Sequence, residues 1–104
     1  MKVPKVWGTE YWLVNNECYC AKILEINNGW RTSIHQHKEK KETFFVLSGK
    51  VEVLGKKVLE VGESNTVERN EWHALCGLKK SLVLEVSTHH EDKDSYRQDK
   101  SCKY

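Results

Sequence analysis

Proline is nearly missing from this sequence: Pro4 is the only one in 104 residues, and no Pro/Gly/Ser-rich stretch, repeat or low-complexity tract interrupts the chain. One folding unit spanning residues 1–104 is therefore expected, too short to combine a nucleotide-binding domain with a separate substrate domain. Any activity has to sit in one compact pocket. Long apolar runs are missing too. None approaches the ~20 residues that span a bilayer, and Met1–Lys5 leads into no signal-peptide core. A membrane partner is therefore not expected, and a cytoplasmic location is. Neither sign of charge dominates: 17 Lys+Arg against 15 Asp+Glu leave a formal net charge of +2. With no block of like charges, the chain lacks the basic footprint of a nucleic-acid binder. No CxxC pair occurs among Cys18, Cys20, Cys76 and Cys102. Cys18 and Cys20 lie two apart in a strand-like segment where cross-linking is geometrically awkward, so reduced, buried thiols are expected rather than a C-x-C metal or redox site.

Helical periodicity is the last absence, since no i, i+3, i+4 apolar stripe persists for three turns. What the sequence has instead is short β-branched and aromatic runs. They predict strands at Tyr11–Val14, Tyr19–Ile26, Arg31–His37, Glu42–Leu47, Lys50–Leu54, Lys57–Glu60, Trp72–Cys76 and Leu82–Ser87. Turn residues separate them, including Asn27-Asn28-Gly29, Ser48-Gly49 and Gly62. Strands at this spacing without intervening helices imply an all-β antiparallel sandwich or barrel. From His89 to Tyr104 the chain alternates acidic and basic residues with almost no aliphatic ones, which predicts a surface tail over 89–104.

Four donors stand out. His35 and His37 are one residue apart in a strand-like run, which places both imidazoles on one face, about 7 Å apart at Cα. A four-residue loop follows and then Glu42. A hairpin there returns the carboxylate to His37, within reach of an ion at roughly 2.0–2.2 Å. His73, in Trp72-His73-Ala74-Leu75-Cys76, is the best-placed fourth ligand. Three neutral donors and one carboxylate leave a divalent ion with positive charge and open coordination positions, a catalytic rather than a thiolate-rich structural pattern. Zinc, manganese, iron, cobalt and nickel all accept such ligands, with zinc or manganese favoured. His89-His90-Glu91-Asp92 is a second donor cluster, but adjacent residues of an extended chain point to opposite faces, so convergence there is harder.

Taken together, Gly29-x5-His35-x-His37-x4-Glu42-x6-Gly49 resembles the first motif of the cupin superfamily without a gap. The second motif, G-x5-P-x-G-x2-H-x3-N, is met at Gly62 and His73, with Glu68 in place of proline, Asn70 in place of glycine and Gly77 in place of asparagine. The resemblance implies a cupin jelly-roll barrel, the double-stranded β-helix, with His35, His37, Glu42 and His73 as metal ligands. The flanks Trp7-Gly8-x-Glu10-x-Trp12, Tyr19-Cys20-x-Lys22 and Glu85-Val86-Ser87-Thr88-His89-His90 look like small cupins related to D-lyxose isomerase and the cupin-type phosphomannose isomerases.

That resemblance implies aldose–ketose isomerisation through a metal-stabilised enediol, with a sugar or sugar phosphate as substrate. The chemistry needs a Lewis acid and a base that moves a proton between adjacent carbons. Glu85 is the candidate base, either turned into the barrel mouth or outward as a solvated carboxylate. Lys22 shares a strand face with Leu24 and Ile26 and reaches either inward to a substrate oxygen or out to solvent. Lys40 is either a rim contact for the sugar or one more charge beside Lys38, Glu39 and Lys41. Tyr96 and Arg97 close over the substrate or lie in the solvated tail. Three histidines and a glutamate also serve cupin dioxygenases, which want an apolar slot, and a binding-only cupin is the third reading. Exposed sheet edges and large aromatics favour a homodimer.

Overall fold

In the computed structural model, which describes residues 1–104, the chain turns back on itself as thirteen short antiparallel strands and one 3-10 turn. They are β1 (Lys2–Lys5), β2 (Gly8–Asn15), β3 (Cys20–Ile26), β4 (Trp30–Arg31), β5 (His35–His37), β6 (Glu42–Ser48), β7 (Lys50–Val53), β8 (Lys57–Glu60), β9 (Ser64–Val67), β10 (Leu75–Gly77), β11 (Ser81–Ser87), β12 (Ser95–Arg97) and β13 (Cys102–Lys103), with the 3-10 turn at Asp92–Asp94. A six-stranded sheet runs β1-β2-β3-β11-β6-β9, facing a five-stranded sheet β13-β4-β10-β7-β8, while β12 and β5 form a separate pair. This is the jelly-roll barrel expected of the pattern.

Alternation along the central strands decides what fills it. On β3 every second residue is buried, from Cys20 through Lys22 and Leu24 to Ile26; β6 buries Glu42, Phe44 and Val46, and β11 buries Ser81, Val83 and Glu85. The register turns these into cross-strand rows. Leu24, Val83 and Val46 form one apolar row; the next row runs Trp12, Lys22, Glu85, Phe44. One end of the barrel is therefore filled by an apolar cluster that includes Ile26, Val46, Val51, Val53, Leu59 and Val83. The other end is polar.

Several strand expectations are corrected. Arg31–His37 is not one strand, because at Thr32–Ile34 side-chain acceptors interrupt the ladder. The Thr32 hydroxyl accepts the Leu75 N–H at 3.1 Å, and Asp99 accepts the Ile34 N–H at 2.7 Å. The polar β9 and the amino-terminal β1, which carries Pro4 on a sheet edge where a missing N–H is tolerated, carried no apolar signal. All four cysteines are free, but Cys18 and Cys102 are exposed, so only Cys20 and Cys76 match the buried expectation. Burial pushes the Cys76 thiol up to about 12.

Residues 89–104 lie largely at the surface, as expected, but they are docked on the barrel and do not fray. β12 pairs with β5 in the register Ser95↔His37 and Arg97↔His35, Gln98 donates to the Ile34 carbonyl at 2.8 Å, and Tyr104 donates to Gly29 at 2.7 Å. His90 and Asp94 are buried. Several charges of this segment have specific partners, among them the Arg31–Asp99 pair at 2.6 Å, which composition alone does not reveal. No helix is long and apolar enough to cross a membrane.

Candidate metal centre

Three backbone elements bring the four donors together. His35 and His37 project from one face of β5, with Gln36 on the other. Glu42 opens β6, and His73 lies just before β10, bridged to His35 by reciprocal N–H to carbonyl bonds of 2.9 Å. One ligating atom from each of His35, His37, Glu42 and His73 lies within 4.8 Å of the others. The expected hairpin between His37 and Glu42 is not what achieves this, because β5 and β6 belong to different sheets. The corner at residues 38–41 is instead wrapped around Asp94. Its carboxylate accepts the N–H groups of Lys38 at 2.9 Å, Glu39 at 3.0 Å and Lys40 at 3.0 Å.

Each imidazole is oriented from behind. Nδ1 of His35 contacts the Ser33 carbonyl at 2.7 Å, Nδ1 of His37 the Asp94 carbonyl at 3.1 Å, and Nδ1 of His73 the Glu71 carbonyl at 3.1 Å. A carbonyl only accepts, so in all three rings Nδ1 carries the proton and Nε2 presents a lone pair. The His73 Nε2 nevertheless sits 2.7 Å from Glu42 Oε1, and the His37 Nε2 sits 3.4 Å from the same oxygen. Two acceptors thus face each other, and Glu42 Oε1 and His73 Nε2 are buried with no hydrogen-bond partner. A cation between them resolves the conflict, and the backbone carbonyls behind the rings are the supports that metal-ligating histidines usually have. Burial and the neighbouring His73 push His35 down to about 3, which keeps it in the neutral, ligating form. Burial opposes ionisation of Glu42, and the Lys40 ammonium 3.2 Å from Oε2 favours it.

Beside the four donors lies a second polar layer. Lys40 is 3% exposed, so it is neither a rim contact nor a surface charge. Its ammonium lies 3.2 Å from Glu42 Oε2, 3.2 Å from Glu85 Oε2 and 2.9 Å from His90 Nδ1. Since an ammonium only donates, His90 accepts at Nδ1 and carries its proton on Nε2, which donates to Asp92 at 2.9 Å. Glu85 takes the inward of its two orientations, at 6% exposed. Burial, then the charge of Glu42, raises its carboxyl above the ordinary range, while Lys40 and Lys22 pull the other way. For Lys40, burial would lower the ammonium, but Glu85 and Glu42 raise it. Burial and the two lysines push His90 down to about 4.

The donors open onto a cavity of about 250 Å³ lined by 23 residues, of which seven are hydrophobic. Lys22, Lys40, Glu85 and Arg97 line it. Tyr96 does not. Strand alternation pairs it with Gln36 on the outer face of β12, where the Lys38 ammonium lies 4.5 Å from its ring. The expectation that Tyr96 touches substrate is therefore corrected. In the other donor cluster, His89 turns to the Asn16 carbonyl at 2.7 Å while His90 points into the cavity, so the two do not converge. Sequence reasoning gave no site role to Asp94 or Glu10, and it met His90 only as a member of the donor cluster at 89–92. The period of two on β2, which puts Glu10 and Trp12 on one face, was the available signal for Glu10.

A protein-family model described as "Cupin domain" matches residues 22–86, more than half of the chain. No curated protein matches the chain. Among solved structures, an RmlC-like cupin from Shewanella frigidimarina aligns with a TM-score of 0.78 at 20% identity, covering 89% of this chain and 86% of that one. KdgF from Halomonas sp. aligns with a TM-score of 0.73 at 21% identity over 82% of each chain. Ectoine synthase from P. lautus aligns with a TM-score of 0.74 at 15% identity, covering 95% of this chain and 81% of that one. At these identities the likeness is one of fold.

Proposed function

The chain belongs to the cupin family, and from that premise we propose that it is a metal-dependent aldose–ketose isomerase acting on a small sugar or sugar derivative. His35, His37, Glu42 and His73 hold one divalent ion, for which zinc or manganese suits the mixed nitrogen and oxygen donors. When bound, the ion supplies Lewis acidity to the neighbouring carbonyl and hydroxyl oxygens of the substrate. The chain's own groups do the rest. Glu85 takes a proton from one carbon and returns it to the next while the hydroxyl proton passes between the two neighbouring oxygens, and its raised proton affinity makes it a stronger base than an ordinary carboxylate. Lys40 keeps that carboxylate at a fixed distance from Glu42. His90 and Asp92 hold Lys40 in place.

The observation that carries this reading is the shared ammonium. A buried carboxylate that is not a ligand lies 3.2 Å from the same Lys40 nitrogen as the ligand carboxylate, inside a cavity where seven of 23 lining residues are hydrophobic. The converging Lys22, Lys40, Glu85 and Arg97 give that lining the polar groups a polyhydroxylated substrate needs. The flanking residues that resemble D-lyxose and phosphomannose isomerases make lyxose, mannose and their phosphates the first substrates to try. The outer face of the large sheet carries Phe45, Leu47 and Val86 exposed, and a homodimer remains part of the proposal.

The test is metal analysis and an aldose–ketose interconversion screen on wild type, His35→Ala and Glu85→Gln. Near-stoichiometric metal in wild type, its loss in His35→Ala, and turnover that disappears in Glu85→Gln while metal is retained would support the isomerase. Metal-loaded wild type that interconverts no aldose–ketose pair would overturn it, and undiminished turnover in Glu85→Gln would remove Glu85 from its role.

A further inference from the structure

Within the cavity one charged group is left over. Lys22 sits in the second cross-strand row, between Trp12 on β2 and Glu85 on β11. Directly opposed lysine and glutamate residues on neighbouring strands ordinarily pair. Here they do not, because Glu85 is held by Lys40. The Lys22 ammonium is turned to the face of Trp12, 4.0 Å from the ring centroid, and its nearest carboxylate oxygen is Glu10 Oε1 at 3.9 Å, too far for a hydrogen bond. That oxygen is already taken by the Trp12 indole N–H at 2.9 Å. Lys22 is therefore a lysine 3% exposed, lining the cavity, with no acceptor in hydrogen-bond range.

An ammonium that faces a cavity with only a ring face and a carboxylate 3.9 Å away beside it keeps its donors for whatever fills that cavity. The remaining donor capacity points to something that arrives. Charge counting gives the sign of that ligand. Four basic and four acidic side chains line the cavity, so the wall is neutral, and a bound divalent ion makes it positive. Glu85 is fixed on Lys40, and Arg97 stands on β12, opposite His35 in the ladder. Lys22 is thus the one buried cation still free to meet a substrate anion.

Resting on the isomerase reading, we infer that the substrate is an acidic sugar, and that Lys22, backed by the ring of Trp12, receives its anionic oxygens. The group supplying those oxygens is a carboxylate or a phosphate; both offer the charged acceptor the ammonium lacks.

The experiment is equilibrium titration of the zinc-loaded protein with mannose, mannuronate and mannose 6-phosphate, followed by calorimetry, for wild type, Lys22→Met and Lys22→Gln. Lys22→Met keeps the aliphatic stem against Trp12, and Lys22→Gln keeps a polar tip in case the thioether misfolds. At least one acidic sugar is expected to bind wild type tenfold or more tightly than mannose, and in both variants that ratio should fall towards one. The tighter acidic ligand identifies carboxylate or phosphate as the source of the oxygens. Equal affinity for all three ligands in wild type would overturn the acidic-sugar assignment and leave the isomerase reading standing. A preference that survives in both variants would overturn the role of Lys22. Failure of all three ligands to bind zinc-loaded wild type would overturn the sugar reading and this inference together.

Discussion

Asp94 holds His37 from two directions: its carbonyl accepts the His37 Nδ1–H at 3.1 Å, and its carboxylate gathers the N–H groups of the corner that follows His37. A residue near the carboxyl terminus thus sets both the tautomer of one ligand and the path of the chain to the next, Glu42. Removing the carboxylate leaves three buried or half-buried N–H groups without their acceptor.

Asp94→Ala is accordingly expected to lower metal affinity by about 10–100-fold, the usual effect of losing a group behind a ligand. It should also destabilise the chain by roughly 2–4 kcal/mol, because hydrogen bonds to a charged acceptor are the strong ones. Asp94→Asn should recover part of both. Metal titration against a competing chelator, together with urea unfolding, measures the two effects; unchanged affinity in Asp94→Ala would show that the corner holds its shape without the carboxylate.

Lys40→Met tests the shared ammonium. It leaves Glu42 and Glu85 buried with no cation between them, a change expected to cost about 3–5 kcal/mol. Saturating zinc should restore part of the loss, since the ion's charge faces Glu42. Urea midpoints with and without zinc decide it, and a variant as stable as wild type in the absence of metal would contradict the pairing.

The pH dependence of the metal-free protein carries a sign that can be worked out. His90 is pushed down to about 4 in the folded state against an ordinary 6.5. Between those values the unfolded chain binds a proton that the folded chain refuses, so stability falls as pH drops through that window, by on the order of 1.4 kcal/mol per unit. Above the ordinary histidine value the contribution is flat. Glu85, with its raised carboxyl, opposes this just above the ordinary glutamate value, because there the folded state is the one that keeps the proton. Comparison with His90→Gln isolates the histidine. Between pH 6.5 and 5 the variant should lose about 1–2 kcal/mol less than wild type, and parallel stability curves would refute the assignment.

Asn70 occupies the glycine position of the second cupin motif, and its φ is 64°. Asparagine tolerates the left-handed region better than other residues with a Cβ, which explains why this departure from the motif leaves the turn intact. Its N–H donates to the His37 carbonyl at 2.7 Å, so the turn also bears on the metal centre. Asn70→Ala is expected to cost about 1 kcal/mol, whereas Asn70→Gly should keep stability and metal affinity close to wild type. Thermal unfolding of the pair checks the difference.

The sequence by itself determined the all-β architecture and the four donors. Both depend on local spacing: a period of two on a strand puts His35 and His37 on one face, and the same period makes Lys22, Leu24 and Ile26 neighbours. It did not determine how Glu42 reaches His37, because that depends on Asp94, more than fifty positions away, entering the corner from a segment that composition marks as solvent. It left Glu85 and Lys40 each with an inward and an outward reading, since alternation separates the two faces of a strand without saying which faces the barrel. Closure of the two sheets settled their positions. Once β11 lies between β3 and β6, Glu85 points inward beside Lys22, and the loop held by Asp94 delivers Lys40 between the two carboxylates. Tertiary structure thereby decided which lysine is paired and which is left free, because a charge buried in a shared cavity takes its partner from the side chains that meet there and not from its neighbours in sequence.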